Sequence, residues 1–185
     1  MRKLILWNVV TLDGLFEGTR SWDLPWHERI WGEELEAFSL EQLRSADLLL
    51  FGRVTYEGMA AYWRTAEGEI ASHMNRLPKV VFSRTLRSVD WSNSTLAKGD
   101  AAAEVSRLKG EGDGDMFVFG SATLSARLMD ASLFDEIRLA IAPVLAGSGR
   151  HLFPPGQKRR NLRLLESRPL STGAVLLRYL PERVD

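Results

Sequence analysis

Residues 116–123 have the sequence MFVFGSAT, in which four apolar residues are followed directly by glycine and three small residues. The apolar run 116–119 is typical of a short buried strand. Ser121 is a residue type that caps helices, and Leu124 and Leu128 repeat at the spacing of one helix face. This stretch therefore predicts a strand that passes at once into a helix.

The same alternation of strand and helix extends along the rest of the chain. Further apolar runs typical of strands lie at 4–10, 47–51, 79–82, 137–142, 162–166 and 174–179. Helical patterns lie between them: one follows Gly52, one covers 70–77, and one starts at 101 behind a cap at Asp100. Residues 31–46 are also helical in pattern, as one helix or as two that restart at a capping box of Ser39 and Gln42.

Short apolar strands separated by helices predict a mostly parallel sheet that is covered on both faces. The last two strands are joined by a short turn at 171–173, which predicts an antiparallel hairpin at the end of the sheet. The expected fold class is therefore α/β, with three α/β/α layers, a central mixed sheet and a C-terminal hairpin. No linker or internal repeat divides the sequence, so we expect one domain over 1–185.

Composition narrows the classes of function. The 185 residues include 24 Lys and Arg and 24 Asp and Glu, so no broad charged surface is expected for nucleic acid or a membrane. The chain has no cysteine and three histidines, which is poor material for a transition-metal site. Its apolar start is interrupted by Asn8 and Asp13 and lacks the pattern of a signal peptide. We therefore expect a cytoplasmic protein without bound metal.

Three strand ends share one local design. Each apolar strand ends in small or polar residues where the next helix or turn begins, at 52–55, 83–85 and 120–123. The carboxyl ends of parallel strands meet at one edge of a sheet, and helix N-termini there offer N–H groups to phosphate. Three such ends predict a dinucleotide site, since hydroxyls and arginine bind phosphate oxygens. The alternative is that Gly52 and Gly120 only end strands, while Thr55 and Ser121 only cap helices.

The standard nucleotide-binding motifs are missing from the sequence. No G-x-G-x-x-G follows the first strand, and no G-x-x-x-x-G-K-[ST] occurs in the chain. A Rossmann dehydrogenase and a P-loop NTPase are therefore both disfavoured.

A longer set of motifs follows a fixed order along the chain: Asp13-Gly14, Gly52-Arg53-Val54-Thr55-Tyr56-Glu57, Ser83-Arg84-Thr85-Leu86, Phe117-Val118-Phe119-Gly120-Ser121, Leu133-Phe134-Asp135-Glu136-Ile137 and Ala142-Pro143-Val144-Leu145-Ala146-Gly147. In this order they resemble the dihydrofolate reductase superfamily. The resemblance is closer to its RibD C-terminal domain branch, the reductase of bacterial riboflavin synthesis and its stand-alone relatives.

The resemblance implies an NADPH-dependent reductase whose cofactor lies across the carboxyl ends of the central strands. It assigns Val9 and Phe16 to the nicotinamide, Gly52, Arg53 and Thr55 to the pyrophosphate and adenosine, Ser83 and Arg84 to the 2′-phosphate, and Gly120, Ser121, Ala122, Thr123 and Leu124 to the opposite side of the pyrophosphate. Arg53 and Arg84 supply the positive charge that binds a 2′-phosphate. Dihydrofolate reductase has a cis peptide between two glycines at the second phosphate turn. We expect this turn at Gly120-Ser121, with Ser121 also capping the helix.

Asp13 is the candidate catalytic residue, because it directly follows the first strand and the resemblance places it near the nicotinamide and the substrate. The alternative is that Asp13-Gly14 only forms a turn. Aromatic residues are dense in 22–31, where Trp22, Trp26 and Trp31 are candidates for a wall against a planar heterocycle. The alternative for these tryptophans is packing onto the core or onto a partner subunit.

These residues favour an NADPH-dependent reductase of a small heterocyclic acceptor, either pterin-like or like 5-amino-6-(5-phosphoribosylamino)uracil. The alternative is a nucleotide-binding or regulatory homodimer that keeps the crevice without the chemistry. The resemblance implies a homodimer in either case, and the run 137–142 is either its interface or a buried core strand. We expect a small molecule as the other partner, with neither nucleic acid nor a membrane.

Overall fold

The computed structural model describes residues 2–182, which form ten strands and six helices. The strands are β1 (Leu4–Thr11), β2 (Leu15–Glu17), β3 (Ala46–Gly52), β4 (Lys79–Phe82), β5 (Ser94–Ala97), β6 (Asp115–Phe119), β7 (Glu136–Ala142), β8 (Arg150–His151), β9 (Leu162–Pro169) and β10 (Val175–Pro181). The helices are α1 (Pro25–Ile30), α2 (Glu33–Ser45), α3 (Arg53–Trp63), α4 (Glu69–Arg76), α5 (Ala101–Lys109) and α6 (Ala122–Asp130).

Eight of these strands form one sheet in the order β5-β4-β3-β6-β1-β7-β10-β9. Every neighbouring pair from β5 to β7 is parallel, whereas β10 runs antiparallel to both β7 and β9. Each of the seven apolar runs predicted as strands overlaps a strand of this sheet. The predicted fold class, a mixed and mostly parallel sheet that ends in a hairpin, is therefore confirmed.

The sheet separates two apolar cores, and strand β1 lies between them. All eight residues of β1 are buried, because helices cover the sheet on both faces. Alternation along β1 directs Ile5, Trp7 and Val9 into the core that contains residues of α1 to α4. Leu4, Leu6 and Val10 belong to the opposite core, with residues of α5 and α6. The carboxyl end of β1 is thereby fixed between two packed layers.

Asp100 and Ser39 are the two residues at which the sequence suggests a helix start in α5 and in α2. Asp100 caps α5, because its Oδ1 accepts a hydrogen bond from the Ala103 N–H at 2.8 Å. Of the two alternatives for 31–46, the structure favours a single helix, since α2 continues from Glu33 to Ser45 without a restart at Ser39. The Ser39 hydroxyl instead donates to the Leu35 carbonyl at 2.8 Å, as serine does inside a helix.

Strands β2, β5 and β8 are absent from the sequence prediction. They are two to four residues long, and β5 and β8 are half-exposed or exposed, so none has an apolar run that marks a buried strand. Strand β5 pairs with β4 at the edge of the large sheet. Strands β2 and β8 pair with each other in a small second sheet, with Leu15 opposite His151.

Strand β7, the predicted candidate for a subunit interface, lies inside the sheet between β1 and β10. Six of its seven residues are buried, so the structure favours its alternative interpretation as a core strand. Apolar side chains are exposed instead on the outer edge strand β9, at Leu162, Leu164 and Leu165. The homodimer stays a prediction, without an interface at 137–142.

Two kinds of feature are absent from residues 2–182. None of the helices there is both long and apolar enough to cross a membrane. The same residues contain no group of three or more His, Asp or Glu side chains that could hold a metal ion.

The contact between Trp22 and helix α3 depends on the lack of a side chain at Gly58. The Trp22 indole N–H donates to the Val54 carbonyl at 3.2 Å, and the ring lies directly over Gly58. A Cβ atom built at Gly58 would lie 1.6 Å from Trp22 Cε2, far inside contact distance. The segment before α1 is therefore attached to α3 by an indole ring on a glycine.

We expect Gly58→Ala to displace the Trp22 ring and to lower the free energy of unfolding by about 1–3 kcal/mol, measured by urea denaturation. In a Trp22→Ala background the same change should be neutral or stabilising by up to about 1 kcal/mol, because alanine favours helix over glycine. Equal destabilisation in both backgrounds would contradict this packing.

Candidate functional site

A groove lies at the carboxyl ends of strands β3, β4 and β5, where the α3 and α6 helices begin. Its cavity volume is about 220 Å³. The residues that line it are Gly52, Arg53, Phe82, Ser83, Arg84, Ala97, Lys98, Gly99, Ala101, Thr123, Leu124 and Arg127. Six of the residues predicted to bind the cofactor are in this lining, from all three of the predicted strand ends: Gly52, Arg53, Ser83, Arg84, Thr123 and Leu124.

The groove is positively charged, although the chain as a whole has no net charge. Its lining contains four cationic side chains and no carboxylate. Arg53 pairs with Glu57 at 2.9 Å, whereas Arg84, Lys98 and Arg127 form no ion pair within residues 2–182. Three cations around one cavity that lack a counter-ion among the described residues fit a ligand with several negative charges.

Ser83 adds a hydroxyl group to this charged end. Its Oγ accepts hydrogen bonds from the N–H groups of Thr85 at 3.2 Å and Leu86 at 3.0 Å. The oxygen is therefore fixed in place by the turn that follows β4. It also lies 3.3 Å from Thr85 Oγ1, so the two hydroxyls share one hydrogen bond and together keep one further proton to donate. Ser83 and Arg84 together present a hydroxyl donor and a guanidinium, which is the donor set that binds a phosphate monoester.

The ends of β3 and β6 are joined by two hydrogen bonds between side chain and backbone. The Gly52 N–H donates to Ser121 Oγ at 2.9 Å, and the Ser121 N–H donates to Thr55 Oγ1 at 3.0 Å. The two strand ends are thus held in one fixed arrangement, because each helix start supplies a hydroxyl to the other. We call Gly52, Thr55, Gly120 and Ser121 the strand-end interlock.

The interlock corrects two expectations about Ser121. The Ser121 side chain does not cap α6, because its oxygen already accepts from Gly52 across the groove. No peptide bond in residues 2–182 is cis, so the expected cis bond at Gly120-Ser121 is wrong. The chain reverses instead through two successive left-handed residues, Gly120 at φ 54° and Ser121 at φ 56°.

This turn has consequences for phosphate binding. A Cβ at Gly120 would lie 3.1 Å from Thr55 Oγ1, so the close approach of the two loops favours glycine there. With Ser121 engaged elsewhere, no side chain caps α6, and the first N–H groups of this nine-residue helix are left for another acceptor. Ala122 is in this first turn but outside the groove lining.

The residues predicted to contact nicotinamide lie on the other side of the interlock. Val9 is in β1, paired with Ala140 of β7, and is 9% exposed. Phe16 is in β2, with the Arg150 guanidinium 5.9 Å from its ring centroid. Neither lines the charged groove. Their role stays a prediction, but both lie at the β1 end of the site, where the resemblance places them.

Asp13 ties the loop after β1 to the loop after β7. Its carboxylate accepts from the Gly147 N–H at 2.7 Å and from the Ala146 N–H at 3.2 Å. Hydrogen bonds from the Thr11 hydroxyl and from Gly147 lower the pKa of Asp13 to about 2. At neutral pH the side chain is an ionised acceptor, so any catalytic role for Asp13 must be that of an acceptor or a base. Its role in catalysis or substrate binding stays a prediction.

The three candidate tryptophans differ in their surroundings. Trp22 packs on α3 as described above, and Trp26 is 4% exposed within the apolar core. Trp31, at the end of α1, is 48% exposed. For Trp26 the structure favours the alternative of core packing, and the assignment of the three residues to substrate stays a prediction.

Sequence reasoning missed two of the four cations in the groove, Lys98 and Arg127. Lys98 follows β5, a half-exposed strand without an apolar run, and it precedes the cap of α5 at Asp100. A strand that ends in Lys98-Gly99-Asp100 has the same design as the other junctions, and this was the signal available. Arg127 lies on α6 one turn after Thr123, and its residue type alone gave no signal.

The fold and the groove together define a class of protein, the α/β domains built like dihydrofolate reductase. The model of the RibD C-terminal domain family matches residues 2–176. The chain therefore belongs to the RibD C-terminal domain family, and the resemblance derived from the motifs is confirmed. The Bacillus subtilis (strain 168) uncharacterized protein YyaP is 31% identical in an alignment of 183 positions that covers 96% of this chain and 94% of YyaP.

Solved structures show the same architecture. A Shewanella sp. PV-4 protein named for riboflavin biosynthesis has a TM-score of 0.80 at 19% identity, over 98% of this chain and 99% of that one. The dihydrofolate reductase of Enterococcus faecalis, solved with NADP(H), has a TM-score of 0.67 at 14% identity, over 98% and 97% of the two chains. At these identities the similarity is one of fold alone.

We expect Asp13→Asn to lower the thermal unfolding midpoint at pH 7, because the amide accepts more weakly than a carboxylate from the two N–H groups of 146 and 147. The native pKa of about 2 lies below the unfolded value of 3.8, so the stabilisation is complete above about pH 4 and is lost as the pH falls towards 2. The difference between wild type and variant should shrink over that range. Asp130→Asn, at an exposed residue, is the control; a constant Asp13→Asn difference down to pH 2 would contradict this assignment.

Proposed function

We propose that this protein is an NADPH-dependent reductase of a small heterocyclic acceptor. The observation that carries the proposal is the groove at the strand ends, where three cations have no counter-ion in residues 2–182 and a hydroxyl is fixed beside them. Membership of the RibD C-terminal domain family and the dihydrofolate reductase fold support it. The adenosine ribose of NAD carries no negative charge for these cations to bind, whereas the 2′-phosphate of NADPH does.

The charged end of the groove is proposed to hold the adenosine 2′-phosphate, through Ser83, Arg84 and Lys98. The strand-end interlock and the uncapped start of α6 are proposed to hold the pyrophosphate. The Ser121 and Thr55 hydroxyls each accept a backbone N–H, which leaves their protons free to donate to phosphate oxygens. Because a helix start also carries a partial positive charge, the same turn supplies both hydrogen-bond donors and a favourable field.

The nicotinamide half of the cofactor would then extend towards β1. The sheet order from the charged end is β4, β3, β6 and β1. Neighbouring strands are about 4.8 Å apart, so the step from β4 to β1 is roughly 14 Å, long enough for an extended dinucleotide. Val9 and Phe16 border this end and are proposed to pack against the nicotinamide.

The acceptor site is proposed to lie beside Asp13, at the end of β1. When bound, NADPH supplies the hydride. The ionised Asp13 carboxylate would accept a hydrogen bond from an N–H of the heterocycle and so orient it. Asp13 is itself fixed by the 146–147 backbone, so the acceptor atom is held in place before the substrate arrives.

We expect Arg84→Ala to weaken NADPH binding by roughly 10- to 100-fold, because a charge-assisted contact to the 2′-phosphate is lost. NADH binding should change less than about 3-fold. Isothermal titration calorimetry of both nucleotides measures the difference. Arg87→Ala is the matched control, since Arg87 is an exposed arginine three residues further on and outside the groove. Equal loss for NADH and NADPH would contradict the 2′-phosphate assignment.

Turnover separates a reductase from a protein that only binds the nucleotide. The protein is mixed with NADPH and a panel of pterin-like and aminouracil acceptors, and the absorbance of the reduced nicotinamide is followed. We expect oxidation with at least one acceptor and a large loss of rate in Asp13→Ala. NADPH binding without oxidation across the panel would favour the regulatory alternative, and the absence of NADPH binding would refute the proposed function.

A further inference from the structure

Asn8 is an unusual residue for its position in strand β1. The seven other residues of the strand are buried, and its neighbours in sequence, Trp7 and Val9, are apolar core residues. Asn8 itself is 6% exposed. Its side-chain Nδ2 is buried and has no hydrogen-bond partner among residues 2–182. A buried amide without a partner costs free energy that an apolar side chain of similar size would not cost.

The register of the sheet places Asn8 beside the strand-end interlock. Trp7 pairs with Phe119 on the parallel strand β6, so Asn8 is level with Gly120, one residue further on. The alternation along β1 puts Leu6 and Val10 in the core that contains α6, and Asn8 stands between them on that face. The unpartnered amide is therefore on the α6 side of the sheet, next to the turn that precedes that helix.

This position differs from the charged end of the groove. Asn8 is not among the residues that line the groove, and three strand spacings separate β1 from β4. A ligand group that reached Asn8 would thus have to extend past the interlock, away from Arg84 and Lys98. In the dinucleotide arrangement proposed above, that group belongs to the nicotinamide half of the cofactor.

We infer that the Asn8 side-chain amide is a cofactor-binding group that hydrogen-bonds the nicotinamide–ribose half of NADPH. The inference rests on the proposed function and adds a residue that motif comparison does not mark. Nicotinamide riboside offers hydroxyl and carboxamide oxygens, both of which accept from an amide N–H. The partner that the protein does not provide for Asn8 Nδ2 is then provided by the cofactor.

The test uses two ligands that share the adenosine end. Adenosine 2′,5′-bisphosphate carries the 2′-phosphate but lacks the nicotinamide half, whereas NADPH has both. Asn8→Leu keeps the approximate size of the side chain and removes its donor, and Asn8→Ala is a second variant in case leucine does not fit. Asn161→Leu, at an exposed residue, is the matched control. Calorimetry gives each dissociation constant, and thermal unfolding without ligand gives each stability.

We expect Asn8→Leu to bind NADPH roughly 10-fold more weakly and adenosine 2′,5′-bisphosphate within about 2-fold of wild type. Its unfolding midpoint without ligand should be unchanged or higher. Unchanged NADPH affinity would overturn the inference, and so would an equal weakening of both ligands. A loss of stability without a change in affinity would also overturn it, because that result would indicate a structural water as the partner of Asn8. If the wild type binds neither ligand, the proposed function fails as well, and that result is distinct from a failure at Asn8 alone.

Discussion

The arrangement of the whole site depends on the strand-end interlock between β3 and β6. These two strands are neighbours in the sheet, but parallel pairing alone does not determine the path of the loops beyond their ends. The Ser121 hydroxyl and the Thr55 hydroxyl each accept a backbone N–H from the opposite loop, so the starts of α3 and α6 are held against each other. The charged groove lies on one side of this contact and the end of β1 on the other. Loss of either hydroxyl would change the relative position of the two halves.

The positive charge of the groove depends on where the charged residues lie in the fold, and not on the net charge of the chain. A chain with equal numbers of cationic and anionic residues still gathers four cations around one cavity, because no carboxylate lines that cavity and several carboxylates are paired elsewhere. Glu136, for example, is buried between Arg138 and Arg178 on the opposite half of the sheet. The composition correctly disfavours a broad nucleic-acid surface, yet it says nothing about a groove of this size. Only the order of the strands brings Arg84, Lys98 and Arg127 together.

An element of the fold or the site could be predicted where its own stretch of sequence carries a clear pattern, such as a long apolar run or a capping residue. Long apolar runs, such as β1 and β7, marked their strands because both of their faces are buried. Strand β5 carried no such run, so Lys98 behind it was missed, although the Asp100 cap was recognised. The residue type of Ser121 predicts a cap for α6, but in the fold its oxygen accepts a hydrogen bond from the Gly52 N–H instead. Local preference predicts an element, and contacts between distant residues decide what its side chains do.

The end of the site near β1 is held together by side-chain and backbone contacts between residues 12–17 and 144–150. Asp13 accepts from Gly147, Arg150 pairs with Glu17 at 2.9 Å, and the Leu12 N–H donates to the Val144 carbonyl at 2.9 Å. Gly149 adds a steric requirement, because a Cβ there would lie 2.4 Å from the Glu17 carbonyl oxygen. The loops after β1 and β7 are therefore connected at several points and must shift together if either moves. Phe16 therefore lies in a segment that is tied, through Glu17 and Arg150, to the same loop that holds the Asp13 carboxylate.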